Sequence, residues 1–162
     1  MKLSTRSRYG TRLMLDMAEH YNQGPIQLGT IAKRQNIPVK YLEQIIIPLK
    51  KANYVKSVRG NRGGHMLARP PEAITVGEIV ELMEGGLRLT ACTRDPDVCE
   101  RSGTCRAHLL WKEVTDAMRR QLNALTLADV LKTGAPGGAC PGGGAGTGGA
   151  AASMDETGRT EE

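Results

Sequence analysis

Apolar positions along the chain change their period in an informative order. Tyr9, Leu13, Met14, Met17 and Tyr21 recur at helical spacing behind Ser4 or Thr5, either of which can cap a helix, and Asn22-Gln23-Gly24-Pro25 ends it. A short apolar link, Ile26-Gln27-Leu28, follows. Thr30 to Gln35 predicts a short helix with Ile31 and Ala32 inward, Asn36-Ile37-Pro38 a turn, and Val39 to Ala52 a second helix with Ile45, Ile46 and Leu49 inward. Pro38 sits near the start of that helix, where a missing amide costs little. Pro48 sits inside it, removes a hydrogen bond and predicts a kink near Gln44. Together these segments read as a helix-turn-helix.

The period then drops to two. Tyr54 to Arg59 alternates as a strand, Gly60-Asn61-Arg62-Gly63-Gly64 turns the chain, and His65 to Ala68 returns, so a hairpin wing follows the helices. Thr75 to Gly85 predicts a helix opened by a capping box, Thr75 with Glu78, and facing Val76, Ile79, Val80 and Met83 inward. Arg106 to Leu125 predicts a longer one, about 30 Å at 1.5 Å per residue, with Leu110, Val114, Met118 and Leu125 near a heptad seam. A small winged domain cannot bury so long a stripe, so pairing with a second copy is expected. The fold class is mainly α with a small β-hairpin wing: a winged helix-turn-helix plus a long dimerisation helix.

Charge divides the 162 residues differently from hydropathy. Met1 to Arg69 holds 13 Lys and Arg against 3 acids, Pro70 to Lys132 holds 8 against 10, and Thr133 to Glu162 holds 1 against 4, so the overall +5 hides a strongly basic first stretch. The last stretch carries 10 of the 20 glycines and almost nothing large to bury, which predicts a disordered tail. The expected organisation is therefore a DNA-binding unit over 1–70, a loop and dimerisation unit over 71–132, and a Gly-rich tail over 133–162. No apolar run is long enough to span a membrane and the amino terminus lacks a secretory core, so a cytoplasmic protein is expected. Five aromatic residues, none of them Phe, supply too few stacking platforms for single-stranded nucleic acid. Double-stranded DNA is the expected partner, and no small-molecule substrate is evident.

At the amino end of the second helix, the end that recognition helices present to the major groove, stand Lys40, Tyr41, Glu43 and Gln44. Gln44 can pair with an adenine edge, Glu43 can accept from a cytosine amino group, and Lys40 can reach guanine or phosphate. Lys33, Arg34, Lys50, Lys51 and Lys56 read as phosphate contacts, which position without specifying. The wing tip offers Arg59 and Arg62 beside Gly60 and Gly63, whose missing side chains allow the backbone to approach a phosphate or minor groove. Lys40, Glu43 and Gln44 are each, taken alone, equally consistent with a solvated surface.

Gly86 to Thr104 is a 19-residue stretch of low hydrophobicity, long enough that binding or disorder is expected there. Cys92, Cys99, Cys105 and His108 follow the spacing Cys-x6-Cys-x5-Cys-x2-His, three soft thiolates and one imidazole within 17 residues. An iron–sulfur cluster, a structural zinc and unmetallated redox thiols all remain open on these residues. Zinc usually takes a tight Cys-x2-4-Cys pair, which is absent, and a disulfide is disfavoured by the expected compartment and the odd count. No nucleotide fingerprint, nucleophile–base pair or carboxylate pair points to an enzyme.

The run Tyr41-Leu42-Glu43-Gln44, the wing Ser57 to Gly64, the segment Ile74-Thr75-Val76-Gly77-Glu78-Ile79 and the three cysteines with Cys105-x2-His108 together resemble the Rrf2 family of bacterial winged-helix regulators, which includes IscR, NsrR and RirA. The likeness covers Met1 to about Leu131, and Leu109-Leu110-Trp111 and Leu125-Thr126-Leu127 look most like the IscR branch. It implies a homodimeric transcription regulator, often a repressor, bound to a palindromic operator and governed by a cluster that reports iron–sulfur, redox or nitric oxide status. It further implies that Cys92, Cys99, Cys105 and His108 hold a 2Fe-2S cluster. Some relatives take a ligand from the first helix, where this chain has Arg8 and Arg12, which cannot serve. Pro38 and Lys40 stand where IscR has small hydroxyl residues, so the resemblance does not carry the operator sequence. Cys140, in the tail, has no counterpart in it.

Overall fold

Ser4 accepts a hydrogen bond from the Ser7 amide at 3.1 Å and so starts α1, Thr5–Glu19, the helix around which the rest packs. The computed structural model describes residues 3–93, 95–101 and 103–133; the expected Gly-rich tail, with Cys140, lies outside the described residues apart from Thr133. α1 ends earlier than its apolar pattern, leaving Tyr21 in a turn that Asn22 closes in the left-handed region. α2, Leu28–Gln35, is capped at its end by left-handed Asn36, after which Ile37 is buried and Pro38 opens α3, Val39–Lys51. This is the expected helix-turn-helix. α3 runs on through Pro48 as one helix, its last turn closed by the Ala52 amide donating to the Pro48 carbonyl at 3.0 Å.

The hairpin follows as β1, Val55–Val58, and β2, Gly64–Leu67, antiparallel with Val55 opposite Leu67 and Val58 opposite Gly64. Only the base of the wing, Val55 and Leu67, enters the core. Ile26 extends the hairpin on its other edge: its amide donates to the His65 carbonyl and its carbonyl accepts from the His65 amide, both at 2.8 Å. The link between α1 and α2 therefore acts as a fragment of strand that fixes the wing against the helices.

α4, Val76–Glu84, shows the capping box in full: Glu78 Oε2 accepts from the Thr75 amide at 2.8 Å and Thr75 Oγ1 accepts from the Glu78 amide at 3.2 Å. Gly85 ends it in the left-handed region. Two short 3-10 turns, Ala91–Thr93 and Pro96–Val98, lead to α5, Arg106–Asn123, two residues shorter than the pattern predicts. A final helix, α6, Leu127–Thr133, was not expected from the pattern. It opens on a second box, Thr126 Oγ1 accepting from the Asp129 amide at 3.1 Å and Asp129 Oδ2 accepting from the Thr126 amide at 3.2 Å.

One core runs through all of this. Leu13, Met14 and Met17 of α1 pack with Ile31 of α2 and with Leu42, Ile45 and Leu49 of α3 on one side, and with Ile79 and Met83 of α4 and Leu127 of α6 on the other. Each fully buried Leu, Ile or Met contributes about 1.5–3 kcal/mol. α4 and α6 thus complete the core of the winged domain, and the chain's hydrophobic centre does not stop at residue 70. Among the described residues, no helix is long and apolar enough to cross a membrane.

Candidate nucleic-acid interface and cysteine loop

α3 divides cleanly into two faces. Leu42, Ile45, Ile46 and Leu49 are buried, while Lys40, Glu43, Gln44 and also Ile47 are exposed, so the amino half of the helix presents the side chains expected to read bases. Tyr41 is placed differently. Its ring packs edge-on against Tyr9, centroids 5.4 Å apart, and is half-buried between α1 and α3. That contact makes the Tyr41 ring a spacer between the two helices.

Lys33 is exposed at the end of α2, but its neighbour Arg34 is not a free phosphate contact. Its Nε donates to Asp16 Oδ2 at 3.0 Å and its Nη2 to Asp16 Oδ1 at 2.5 Å, and Gln35 Nε2 adds a third bond to Oδ2 at 3.0 Å. Asp16 is only 1% exposed, so the carboxylate is held inside the protein by α2. This hydrogen bonding raises the Arg34 pKa above its ordinary value. Arg12 is likewise engaged, by the Gln35 side chain and carbonyl, and Arg69 lies over the Tyr54 ring at 4.5 Å. Three of the basic side chains in the first stretch therefore build the fold.

At the wing tip Arg59, Gly60, Asn61 and Arg62 are exposed. Gly60 is at φ 114°, with open space where a Cβ would stand. Gly63 and Gly64 serve an internal purpose: a Cβ on Gly63 would lie 2.3 Å from the Val58 carbonyl oxygen, and one on Gly64 2.5 Å from that of Ile26. The close approach at these two positions is to the chain's own backbone. Ser57 Oγ and His65 Nδ1 pair at 3.1 Å across the hairpin, and burial lowers the His65 pKa, with Lys50 adding to the effect.

The cysteine loop starts at Gly85-Gly86, which follows Glu84. Glu84 is tied to the start of α1: its Oε1 accepts from the Ser4 amide at 2.9 Å and from Ser7 Oγ. Leu87 is buried and pins the loop's first residues. Cys92 lies in the first 3-10 turn with Thr90 Oγ1 at 3.3 Å from its sulfur, Cys99 follows the second turn, and Cys105 is the residue from which α5 starts. All three are free and half-buried. His108 stands in the first turn of α5, its amide donating to the Cys105 carbonyl at 3.1 Å, and its Nδ1 is buried with no hydrogen-bond partner among the described residues. Among those residues no three His, Cys, Asp or Glu side chains converge as a metal would require. The donor set is present and the imidazole nitrogen is unspent, yet the four side chains are not gathered.

Comparison with protein families matches residues 3–133 to Rrf2, described as an iron-dependent transcriptional regulator. The chain belongs to the Rrf2 family. It is 44% identical over 132 residues to protein rrf2 of Nitratidesulfovibrio vulgaris, covering 82% of this chain and 88% of that one. Among solved structures it is similar to T. potens IscR, with a TM-score of 0.68, 39% identity and coverage of 82% and 88% of the two chains. It is equally similar in shape to CymR, the global cysteine regulator of Bacillus subtilis, with a TM-score of 0.70, 35% identity and coverage of 83% and 99%. An Rrf2 chain of this kind is a winged-helix, DNA-binding transcriptional regulator and not an enzyme. Its likeness extends to the CymR structure as fully as to the IscR structure, so kinship with the IscR branch alone does not decide what the cysteine loop holds.

Two contacts that matter for this Rrf2 chain leave no mark in its sequence. The Asp16–Arg34–Gln35 cluster that holds α2 on α1 joins residues 18 and 19 positions apart, a separation with no local signature. The Glu84–Ser7 contact spans 77 positions and is equally silent. α6, by contrast, had a signal in Thr126-x-x-Asp129.

Proposed function

We propose that this Rrf2 regulator binds a palindromic operator as a homodimer and that its cysteine loop holds a 2Fe-2S cluster whose presence sets operator affinity, usually in repression and in the cytoplasm. The observation that carries the cluster reading is the unspent, buried Nδ1 of His108 one helical turn from Cys105, in a loop whose cysteines are all free. Cys92, Cys99, Cys105 and His108 would be the ligands. Bound there, the group supplies reversible one-electron chemistry and sensitivity to oxidants. Residues 1–70 would make the DNA contacts and 71–132 would receive the signal.

The DNA contacts in this reading are Lys40, Glu43 and Gln44 from α3 to base edges, with Lys33, Arg59 and Arg62 to phosphates and Gly60 letting the wing backbone approach. Tyr41 and Gly63 act behind them, one as a spacer against Tyr9 and the other as a turn that fits its own backbone. Dimerisation falls to α5, where Leu110 is 56% and Val114 42% exposed on the face opposite Lys112, Asp116 and Arg119. A stripe of that length is covered by its own copy in an isologous pair.

The loop can act on DNA binding because its start is fastened to α1 and α5 and its far end runs directly into α5. Glu84, just before the loop, grips Ser4 and Ser7 of α1, and Arg119, well along α5, donates to Glu81 of α4 at 2.6 Å and to the Leu87 carbonyl at the loop's start. A change in loop order shifts α4 and α5, and with them α1 and the partner copy. Coupling of 1–3 kcal/mol corresponds to about 5- to 150-fold in affinity. The test combines anaerobic iron and sulfide analysis with binding to DNA selected from a random pool. Cys92→Ala, Cys99→Ala and Cys105→Ala should each lose the cluster and change operator affinity, and Gln44→Ala and Arg59→Ala should weaken binding in either state. Unaltered cluster content and affinity in all three cysteine variants would sink the proposal.

A second reading has an observation of its own. The four ligating side chains do not converge among the described residues, and the CymR structure is that of a cysteine regulator. In that reading the loop is cluster-free or holds zinc, the thiols respond to redox state directly, and the purified protein is colourless without sulfide.

A further inference from the structure

Between the end of α4, the start of the cysteine loop and one face of α5 lies a cleft of about 490 Å³. Arg88, Lys112 and Arg119 line it, with Asp116, Thr93 and Thr115. No residue of α2, α3 or the wing takes part, and none of the cysteines or His108 does. Its α5 residues, at positions 112, 115, 116 and 119, recur at three and four and so share one helix face. Leu110 and Val114 are on the opposite side, so a partner copy on that stripe leaves the cleft open.

The walls are preorganised. Arg119 is held from three directions: Nε donates to Glu81 Oε1 at 2.6 Å, Nη1 to Asp116 Oδ1 at 2.9 Å and Nη2 to the Leu87 carbonyl at 3.4 Å. Asp116 Oδ2 accepts from Lys112 Nζ at 2.9 Å. Each carboxylate oxygen of Asp116 thereby has a cationic partner, which offsets its repulsion of an incoming anion. Lys112 retains two of its three N–H donors and Arg119 two of its five. Arg88 makes no hydrogen bond or ion pair with any described residue, so counting Glu81 behind the wall, three cations face two carboxylates and the cleft keeps a net positive charge.

We propose that this cleft binds a small oxyanion, a carboxylate or phosphate group seated between Arg88 and Lys112 with the fixed Arg119 guanidinium beneath. A polar, charged wall of this kind does not suit an apolar ligand, and the volume lies within the range of small-molecule sites. Because Gly85, Gly86 and Leu87 form its rim together with α5, an occupant bridges the start of the cysteine loop and the middle of α5. It would act as an effector on the regulator, whatever the loop itself holds, so the proposal does not depend on the cluster.

The experiment measures thermal unfolding of the full chain at constant ionic strength while sodium succinate or sodium phosphate replaces sodium chloride. The unfolding temperature should rise with saturation for at least one oxyanion, succinate identifying an organic acid and phosphate a phosphoryl group. Arg88→Ala and Lys112→Gln, both at partly exposed positions, should fold with unfolding temperatures close to the parent and need at least tenfold more anion for half the effect. Arg59→Ala should respond as the parent does. A response equal in chloride, a response lost in Arg59→Ala but kept in Arg88→Ala, or no response to either anion would overturn the site.

Discussion

Arg34 and Lys33 are adjacent, alike in charge and opposite in role. Lys33 points into solvent, whereas Arg34 neutralises a carboxylate that is 1% exposed. Removing Arg34 leaves Asp16 buried with Gln35 as its remaining partner, at a cost of about 2–4 kcal/mol once the one-third exposure of Arg34 is allowed for. Arg34→Ala should therefore lower the urea midpoint strongly while DNA affinity per folded molecule stays within about twofold. Lys33→Ala should keep stability within about 0.5 kcal/mol and reduce the salt slope of DNA binding by about 1. Equal unfolding midpoints for the two variants would return Arg34 to the surface. Sequence alone makes the two residues look interchangeable, because the partner that separates them comes from another helix. The same limit applies to Tyr41, whose position in the recognition helix is legible but whose contact with Tyr9 depends on how α1 crosses α3.

At the scale of elements, legibility follows the range of the forces that make each one. The boxes that start α4 and α6 are local, and Thr75-x-x-Glu78 was readable as a helix start. Thr126-x-x-Asp129 carries the same signature, but seven residues before a glycine-rich stretch give too short an apolar period to register. Thr126→Ala should cost about 1 kcal/mol, measured by denaturant unfolding; no loss would mean that Leu127 packing alone fixes α6. The end of α4 is set by long-range contacts. Hydrogen bonding from Ser7, then from the Ser4 amide, lowers the Glu84 pKa below the ordinary glutamate value. Folded Glu84 therefore holds its proton less tightly than unfolded Glu84. The stabilisation is complete above the ordinary glutamate pKa of about 4.3 and is lost as pH falls through the lowered value. Glu84→Gln should be less stable than the parent at neutral pH, and the two stability curves should converge in acid; parallel curves would remove the carboxylate from the joint. The wing was legible from its period, but Ile26 as its third edge was not, since a two-residue bridge leaves no pattern.

For the molecule as a whole, the overall +5 conceals how charge is spent. Of the 13 basic residues in the first 69, Arg12, Arg34 and Arg69 serve internal contacts, Arg6 and Arg8 are exposed on α1, and Lys33, Lys40, Lys50, Lys51, Lys56, Arg59 and Arg62 sit on α2, α3 and the wing. The apolar stripe of α5 was readable as a stripe without a home, and the monomer leaves it uncovered. Leu110→Asp should convert a dimer to a monomer in sedimentation velocity and weaken operator binding by more than tenfold; a dimer that persists would move the interface elsewhere. The cysteine loop was legible as a donor set, and among the described residues its donors do not converge. The coupling between that loop and DNA is the central claim, and fluorescence anisotropy on one anaerobic preparation, before and after iron is stripped by a chelator, tests it most directly. Operator affinity should change by about 5- to 150-fold and recover on reconstitution with iron and sulfide. Affinities that agree within twofold across all three states would contradict it.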